Sequence, residues 1–140
     1  MKQDFKTAGF KKTREVYIGG NGNTERITIG GDSPVTIQTM WKEGITDVKD
    51  NPQKIEKIVQ QINSLKLLGC DIIRFAVPDM ESAESFIQIC RASTMPLVAD
   101  IHFDYRIALA CAEHGVDKIR INPGNIGDDD RVGQVARACK

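Results

Sequence analysis

Three successive apolar runs in the sequence each end in residues that could do chemistry. The middle run, residues 97–103, carries Asp100 and His102 two positions apart near its end. The neighbouring runs supply two arginines and an amide, Arg74, Arg120 and Asn122. A guanidinium fork matches the oxygens of a phosphate group, whereas a carboxylate and an imidazole can orient hydroxyl groups or move protons. This combination predicts a site for a phosphorylated ligand.

Odd- and even-numbered residues of each run lie on opposite faces, because side chains alternate along a β-strand. We call this alternation the parity of the strand. One face is apolar and suits packing against helices; it holds Ile73, Phe75, Val77, Ala99, Ile101, Phe103, Ile119 and Ile121. The other face becomes polar towards the carboxyl end of each strand and holds Arg74, Asp100, His102, Arg120 and Asn122. In a (β/α) barrel this second face points into the interior and up to the rim, where active sites are built. Residues 122–127 add backbone N–H groups ahead of a helix, which also favours an anion.

A purely structural interpretation of these residues stays open. Asp100 and Arg120 could pair across neighbouring strands and hold the sheet together. His102 could be a hydrogen-bonded or exposed histidine with no catalytic role. The functional interpretation is favoured because three strands in succession bring polar groups to the same end and the same face. Asp104, by contrast, is predicted to cap a helix, and Arg106 to lie on the first turn of that helix.

Four strand–helix units are predicted after a short N-terminal segment. The strands are predicted at residues 35–40, 70–77, 97–103 and 116–122, each followed by a helix. The first helix has the clearest signals, since it begins at Asn51 and Pro52, ends at Gly69 and repeats its apolar residues with helical spacing. Alternating strands and helices imply right-handed crossovers and a parallel sheet.

The predicted fold class is therefore α/β, a parallel (β/α) TIM barrel of which about four units are present. No GxGxxG turn follows the first strand, which disfavours a nucleotide-binding doubly wound fold. A barrel of eight units needs roughly 250 residues. We predict a polar tail over residues 1–13 and a β-hairpin up to residue 34, then the first half of a barrel over residues 35–140. The natural protein is expected to be longer, since a half barrel leaves open strand edges.

The composition excludes several classes of partner. Lysine plus arginine and aspartate plus glutamate number 19 each, so no overall field favours a nucleic acid or an anionic membrane. No run approaches the ~18 apolar residues of a membrane span, and the start lacks the apolar core of a signal peptide, so a cytoplasmic protein is predicted. The acidic run at residues 128–130 is predicted to be a solvated helix start and not a metal site. The four cysteines lie far apart and form no Cys-x-x-Cys pair, so no zinc site is predicted; they are Cys70, Cys90, Cys111 and Cys139.

Four longer motifs contain the residues discussed above. They are Ile37-Gln-Thr-Met40, Gly69-Cys-Asp-Ile-Ile-Arg-Phe-Ala-Val-Pro78, Pro96-Leu-Val-Ala-Asp-Ile-His-Phe-Asp-Tyr-Arg106 and Lys118-Ile-Arg-Ile-Asn-Pro-Gly-Asn-Ile-Gly127. Together they closely resemble the 4-hydroxy-3-methylbut-2-enyl diphosphate synthase family, and the likeness runs from about Arg14 to the end of the chain. The resemblance implies an oxidoreductase of the methylerythritol phosphate pathway of isoprenoid biosynthesis. Its reaction is the reductive opening of 2-C-methyl-D-erythritol 2,4-cyclodiphosphate to hydroxymethylbutenyl diphosphate.

The resemblance also implies partners and residue roles. Two electrons arrive from flavodoxin or ferredoxin through a 4Fe-4S cluster, which sits in a separate C-terminal domain and, in a homodimer, closes over the partner's barrel. The residues implied to hold the diphosphate are Arg74, Arg120 and Asn122. Asp100 and His102 are implied to position the substrate ring and its hydroxyl groups, and Asn125 to shape the loop.

The resemblance has two departures and leaves two alternatives. The cluster ligands of the family, three cysteines and a glutamate, match nothing in this chain, which is therefore expected to bind substrate and to hold no cofactor itself. Residues 41–44 replace the small polar run implied after the first strand. The alternatives are a non-catalytic, truncated diphosphate-binding module, or another TIM-barrel enzyme acting on a phosphorylated or pterin-like ligand.

Overall fold

The computed structural model describes residues 12–140 and is built around a four-stranded parallel sheet in which strand order follows chain order. The strands are β1 (Val16–Ile18) and β2 (Ile27–Ile29), which form a separate antiparallel hairpin, and β3 (Gln38–Met40), β4 (Ile72–Ala76), β5 (Leu97–Ile101) and β6 (Lys118–Ile121), which form the sheet. The predicted α/β class with a partial parallel barrel is confirmed. Residues 1–11 of the predicted tail lie outside the described residues.

Helices follow the strands of the sheet as predicted. Within residues 12–140 they are α1 (Pro52–Leu67), α2 (Met80–Ala92), α3 (Tyr105–Glu113), α4 (Pro123–Ile126) and α5 (Asp129–Ala138). Each is preceded by a side chain that accepts a hydrogen bond from a first-turn backbone N–H; these caps are Asn51, Asp79, Asp104, Asn122 and Asp128. Gly69, at φ 95°, ends α1 where the sequence predicted. In the part of the chain that the structure describes, no helix is long and apolar enough to cross a membrane.

The outer face of the sheet forms the main core against the helices. Its buried residues include Ile73, Phe75, Val77, Leu97, Ala99 and Ile101. Phe75 contacts Phe86 of α2 with ring centroids 5.3 Å apart, and Trp41 stacks on Phe75 at 5.0 Å. The parity predicted for the apolar face is thus confirmed for these strands. Trp41, the first residue of the segment 41–44, therefore packs against the core.

The hairpin covers the amino-terminal end of the sheet's inner face. Ile18 packs with Ile72 and Val98, and Ile27 and Ile29 lie beside them. Ile72 and Val98 precede Arg74 and Asp100 by two positions, so they share the inner face with those polar residues. The inner face is therefore apolar and covered at its amino end, and polar at its carboxyl end.

Polar contacts fasten the hairpin to the loops beneath the sheet. Thr24 Oγ1 donates a hydrogen bond to Asp117 Oδ1 at 2.7 Å, and the backbone N–H of Leu97 donates to the other carboxylate oxygen at 3.3 Å. Glu25 adds a backbone hydrogen bond to Thr94 O at 2.9 Å. Asp117 thus joins the hairpin to the starts of β5 and β6.

Asp117 is expected to make the stability of the protein depend on pH. Burial raises the pKa of its carboxyl above the ordinary 3.8, against the opposing hydrogen bonds from Thr24 and Leu97. The folded state therefore binds this proton more tightly than the unfolded state does. The stability that Asp117 contributes is fully present below the ordinary pKa and is lost as pH rises through the raised pKa. Thermal unfolding from about pH 4 to neutrality should show a smaller decline in Asp117→Asn than in the parent. Equal slopes in the two proteins would contradict this assignment.

All four strands of the sheet are shorter than predicted, and two of these differences change where a predicted strand residue lies. β5 ends at Ile101, which pairs with Ile121, the last residue of β6; the chain then bends at residues 102–103, while Asn122 caps α4. Phe103, predicted on the apolar outer face, is instead 74% exposed, so that prediction was wrong. β3 starts at Gln38 and not at Val35, which follows Pro34 and is itself 80% exposed.

Candidate functional site

Asp100 is the centre of the polar inner face. Its residue surface is only 2% exposed, and Arg120 Nη1 donates a hydrogen bond to its Oδ1 at 3.0 Å. Asp100 and Arg120 are register partners on β5 and β6, so the backbone pairing itself brings the two side chains together. A buried carboxylate is tolerated only when it is paired, and this pairing meets that requirement.

Arg74 approaches the same carboxylate from β4. Its Nε lies 3.3 Å from Asp100 Oδ2, but the N–H is not aligned for a hydrogen bond and has no partner within the described residues. Its Nη2 lies 3.4 Å from the sulfur of Met40, its register partner on β3. Two guanidinium groups therefore face one carboxylate. The resulting excess of positive charge, with donors left over, suits an added anion.

His102 lies just beyond the end of β5. Its Nε2 is 3.9 Å from Asp100 Oδ2, and its side chain is 42% exposed. The imidazole therefore borders both the buried carboxylate and the solvent, where a ligand hydroxyl would have access to it. The structure thus brings together Arg74, Asp100, His102 and Arg120, as the parity of the sequence predicted.

Asn122 and Asn125 sit in a different local structure from the predicted loop. Residues 123–126 form the one-turn helix α4, because Asn122 Oδ1 accepts a hydrogen bond from Gly124 N at 3.1 Å and Pro123 occupies the first helical position. Ile126 is buried and anchors this turn, whereas Asn125 is exposed. Asn122 therefore already uses its oxygen as a cap, and its amide nitrogen is the group that would reach a ligand.

Two residues near the rim have local roles. Asp104 accepts from Arg106 N at 2.9 Å, and Arg106 Nη2 lies 2.7 Å from Asp104 Oδ2, so the predicted cap and first-turn arginine form one surface unit. These contacts hold the pKa of Asp104 below its ordinary value. The structure gives neither residue a contact with Asp100.

Among residues 12–140, no group of three or more histidine, cysteine, aspartate or glutamate side chains is placed to hold a metal ion. Burial raises the pKa of the Cys111 thiol to about 12 and that of Cys90 well above its ordinary value. Such thiols stay protonated near neutral pH, which disfavours metal binding.

Met40 is the site neighbour that sequence reasoning missed. Its pairing with Arg74 depends on the register between β3 and β4, which no local pattern encodes, whereas the face of β3 on which it lies follows from alternation alone. The signal that could have found it is its own position at the carboxyl end of the predicted first strand. Applying the same alternation to that strand would have placed Met40 on the inner face.

The comparisons with known proteins concern nearly the whole chain. The family described as GcpE TIM-barrel domain matches residues 13–140. Curated proteins named 4-hydroxy-3-methylbut-2-en-1-yl diphosphate synthase (flavodoxin) are similar to it in several bacteria. That of Treponema denticola is 50% identical over 130 residues, which is 93% of this chain and 32% of the relative. That of Symbiobacterium thermophilum is 49% identical over 130 residues, again 93% of the chain and 32% of the relative. The chain thus spans about a third of the length of these relatives.

Proposed function

The chain belongs to the GcpE TIM-barrel family, and from that membership we propose that it is the substrate-binding part of a 4-hydroxy-3-methylbut-2-enyl diphosphate synthase. The proposed substrate is 2-C-methyl-D-erythritol 2,4-cyclodiphosphate, which the complete enzyme opens reductively in isoprenoid biosynthesis. A fold shared by many enzymes carries no function by itself, so the proposal depends on the site. The single observation that carries it is the pair of arginines around one buried carboxylate at the carboxyl ends of the strands.

The arginines account for binding of the diphosphate. Asp100 neutralises one positive charge, accepts a hydrogen bond from Arg120 and lies 3.3 Å from Arg74 Nε, so both guanidinium groups keep donors for phosphate oxygens. The side chains of Arg74 and Arg120 are 33% and 42% exposed, so a ligand can reach them from the open, carboxyl end of the inner face, which we call the mouth. Asn122, through its amide nitrogen, and Asn125 complete the proposed binding set at the start of α4.

Asp100 and His102 receive different roles within the proposed mechanism. Asp100 is too well covered to contact the substrate broadly, so it acts mainly by orienting the arginines and His102. His102, which is exposed to the mouth, is the group that would hold a substrate hydroxyl or move a proton. The ring of the substrate would then lie above His102 and its diphosphate against the arginines.

The cysteines of this chain do not fit a 4Fe-4S cluster, and the exposed Cys139 belongs to no group of three potential ligands among residues 12–140. Cys70 donates its thiol to Ile72 O at 3.2 Å, while Cys90 and Cys111 are packed in or against the core with raised pKa values. The cluster and its ligands are therefore proposed to lie outside residues 1–140. A C-terminal iron-sulfur domain, homodimerisation and a cytoplasmic location belong to this proposal. So does flavodoxin as electron donor, which the names of the relatives support.

The proposal is tested by turnover in the full-length protein that carries this barrel. With reduced flavodoxin, it should convert the cyclodiphosphate to hydroxymethylbutenyl diphosphate, detected by mass spectrometry of the product. Conversion of a phosphorylated ligand without any iron, or saturable binding with no turnover by an iron-loaded full-length protein, would contradict it. The first result would favour another TIM-barrel enzyme, and the second a non-catalytic binding module.

A further inference from the structure

Phe103 occupies an unusual position beside the candidate site. In a continuing strand, His102 and Phe103 would point to opposite faces. The chain bends after Ile101 instead, and the two ring centroids lie only 6.1 Å apart, with planes inclined by 38°. The bend therefore brings an aromatic ring to the lip of the mouth, next to the imidazole that borders Asp100.

The Phe103 ring contributes little to the core. Phe103 is 74% exposed, whereas Phe75 and Phe86 are buried in the core. The segment that carries it is nevertheless held at both ends, because Ile101 is buried in β5 and Asp104 caps α3. An exposed phenylalanine on a fixed backbone, adjacent to a cationic site, is suited to contact a ligand that has both a charged and an apolar part.

We propose that Phe103 is a specificity-determining residue, which covers the carbon skeleton of a diphosphate ester while the arginines hold its phosphates. This inference rests on the proposed function and adds to it the basis for selecting a carbon-bearing diphosphate over a bare one. The arginines bind phosphate oxygens in either ligand, and only the ester has apolar surface to bury against the ring. Selection between the two therefore comes from Phe103.

The test compares two probes on the full-length protein by isothermal titration. The probes are 2-C-methyl-D-erythritol 2,4-cyclodiphosphate and inorganic pyrophosphate. Phe103→Ala is expected to weaken binding of the cyclodiphosphate about tenfold, since one ring face loses its apolar contact, and to change pyrophosphate affinity by less than about twofold. Phe103→Leu should fall between Phe103→Ala and the parent. Leu67→Ala, which alters a residue 90% exposed at the far end of α1, is the matched control and should change neither affinity.

The outcomes separate this inference from the proposed function. Binding of the cyclodiphosphate by the parent with no change in Phe103→Ala overturns the inference alone. Equal losses for both probes overturn it as well, because the ring would then act on the phosphate site. A changed oligomeric state in Phe103→Ala with unchanged ligand affinity would assign the ring to a protein contact. If the parent does not bind the cyclodiphosphate, the proposed function fails and the inference fails with it.

Discussion

Asp100→Ala is expected to lower the free energy of unfolding by about 3 kcal/mol and to weaken ligand binding. Removing one member of a buried ion pair typically costs about 3–5 kcal/mol, because the remaining charge loses its partner. The lower end applies because the side chains of Arg74 and Arg120 are 33% and 42% exposed and are partly screened by water. Chemical denaturation measures the stability, and titration with the cyclodiphosphate measures the binding.

The binding result distinguishes orientation from simple charge. Asp100→Ala makes the site more positive, so attraction alone would tighten binding of an anion. If Asp100 orients the arginines, the affinity falls instead, and Asp100→Asn, which keeps an acceptor oxygen, should lose less than Asp100→Ala. Asp32→Ala provides a matched control, since Asp32 pairs with Lys12 on the surface and its loss should alter stability little. Tighter binding in Asp100→Ala would contradict the orienting role.

Arg120→Ala is expected to reduce kcat/KM of the full-length enzyme by about two to three orders of magnitude while the protein stays folded. The variant loses charge-assisted hydrogen bonds to the diphosphate, each worth about 1.5–3 kcal/mol. Asp100 keeps Arg74 as a neighbour, so the loss of stability should be smaller than in Asp100→Ala. Steady-state kinetics with reduced flavodoxin, beside a circular dichroism melt, measure the two effects.

Two further variants sharpen the Arg120 result. Arg120→Lys keeps the charge but not the planar fork, so it should recover only part of the activity. Arg106 lies on the same rim, pairs with Asp104 and has a side chain that is 74% exposed. Arg106→Ala should therefore leave kcat/KM near that of the parent. Equal losses in Arg106→Ala and Arg120→Ala would indicate a general effect of positive charge and contradict the specific role of Arg120.

The boundaries of the longer helices, unlike those of the one-turn helix α4, could be predicted because their signals are local. Asn51 and Pro52 at the start of α1, and Gly69 just after it, act through the capping hydrogen bond and the left-handed backbone of their own segment. The polar and apolar faces of the strands could be predicted for a similar reason, since alternation is a property of each strand alone. These signals sufficed to bring Arg74, Asp100 and Arg120 to one face.

Several strand ends could not be predicted because they depend on neighbouring strands. β5 ends at Ile101, whose register partner Ile121 is the last residue of β6, and Asn122 then caps α4. Nothing within residues 97–103 shows this, so Phe103 was assigned to the wrong face. This correction bears on function, because Phe103 is exposed beside His102 and is not part of the core.

The internal geometry of the site also lay beyond the sequence. Its members were predictable, but the near-complete burial of Asp100 and the sulfur contact of Met40 follow from register and side-chain conformation. This geometry changes the part assigned to Asp100. As one of a row of polar residues it could be a group that contacts substrate, whereas its place between two arginines leads us to propose that it chiefly orients them.

The central claim is that the paired arginines of the inner face bind a cyclodiphosphate. Isothermal titration of the full-length protein with 2-C-methyl-D-erythritol 2,4-cyclodiphosphate tests it most directly, with Arg74→Ala/Arg120→Ala beside Arg106→Ala. We expect saturable binding in the parent and in Arg106→Ala, and no measurable binding in the double variant at the same protein concentrations. Unchanged affinity in the double variant would contradict the claim.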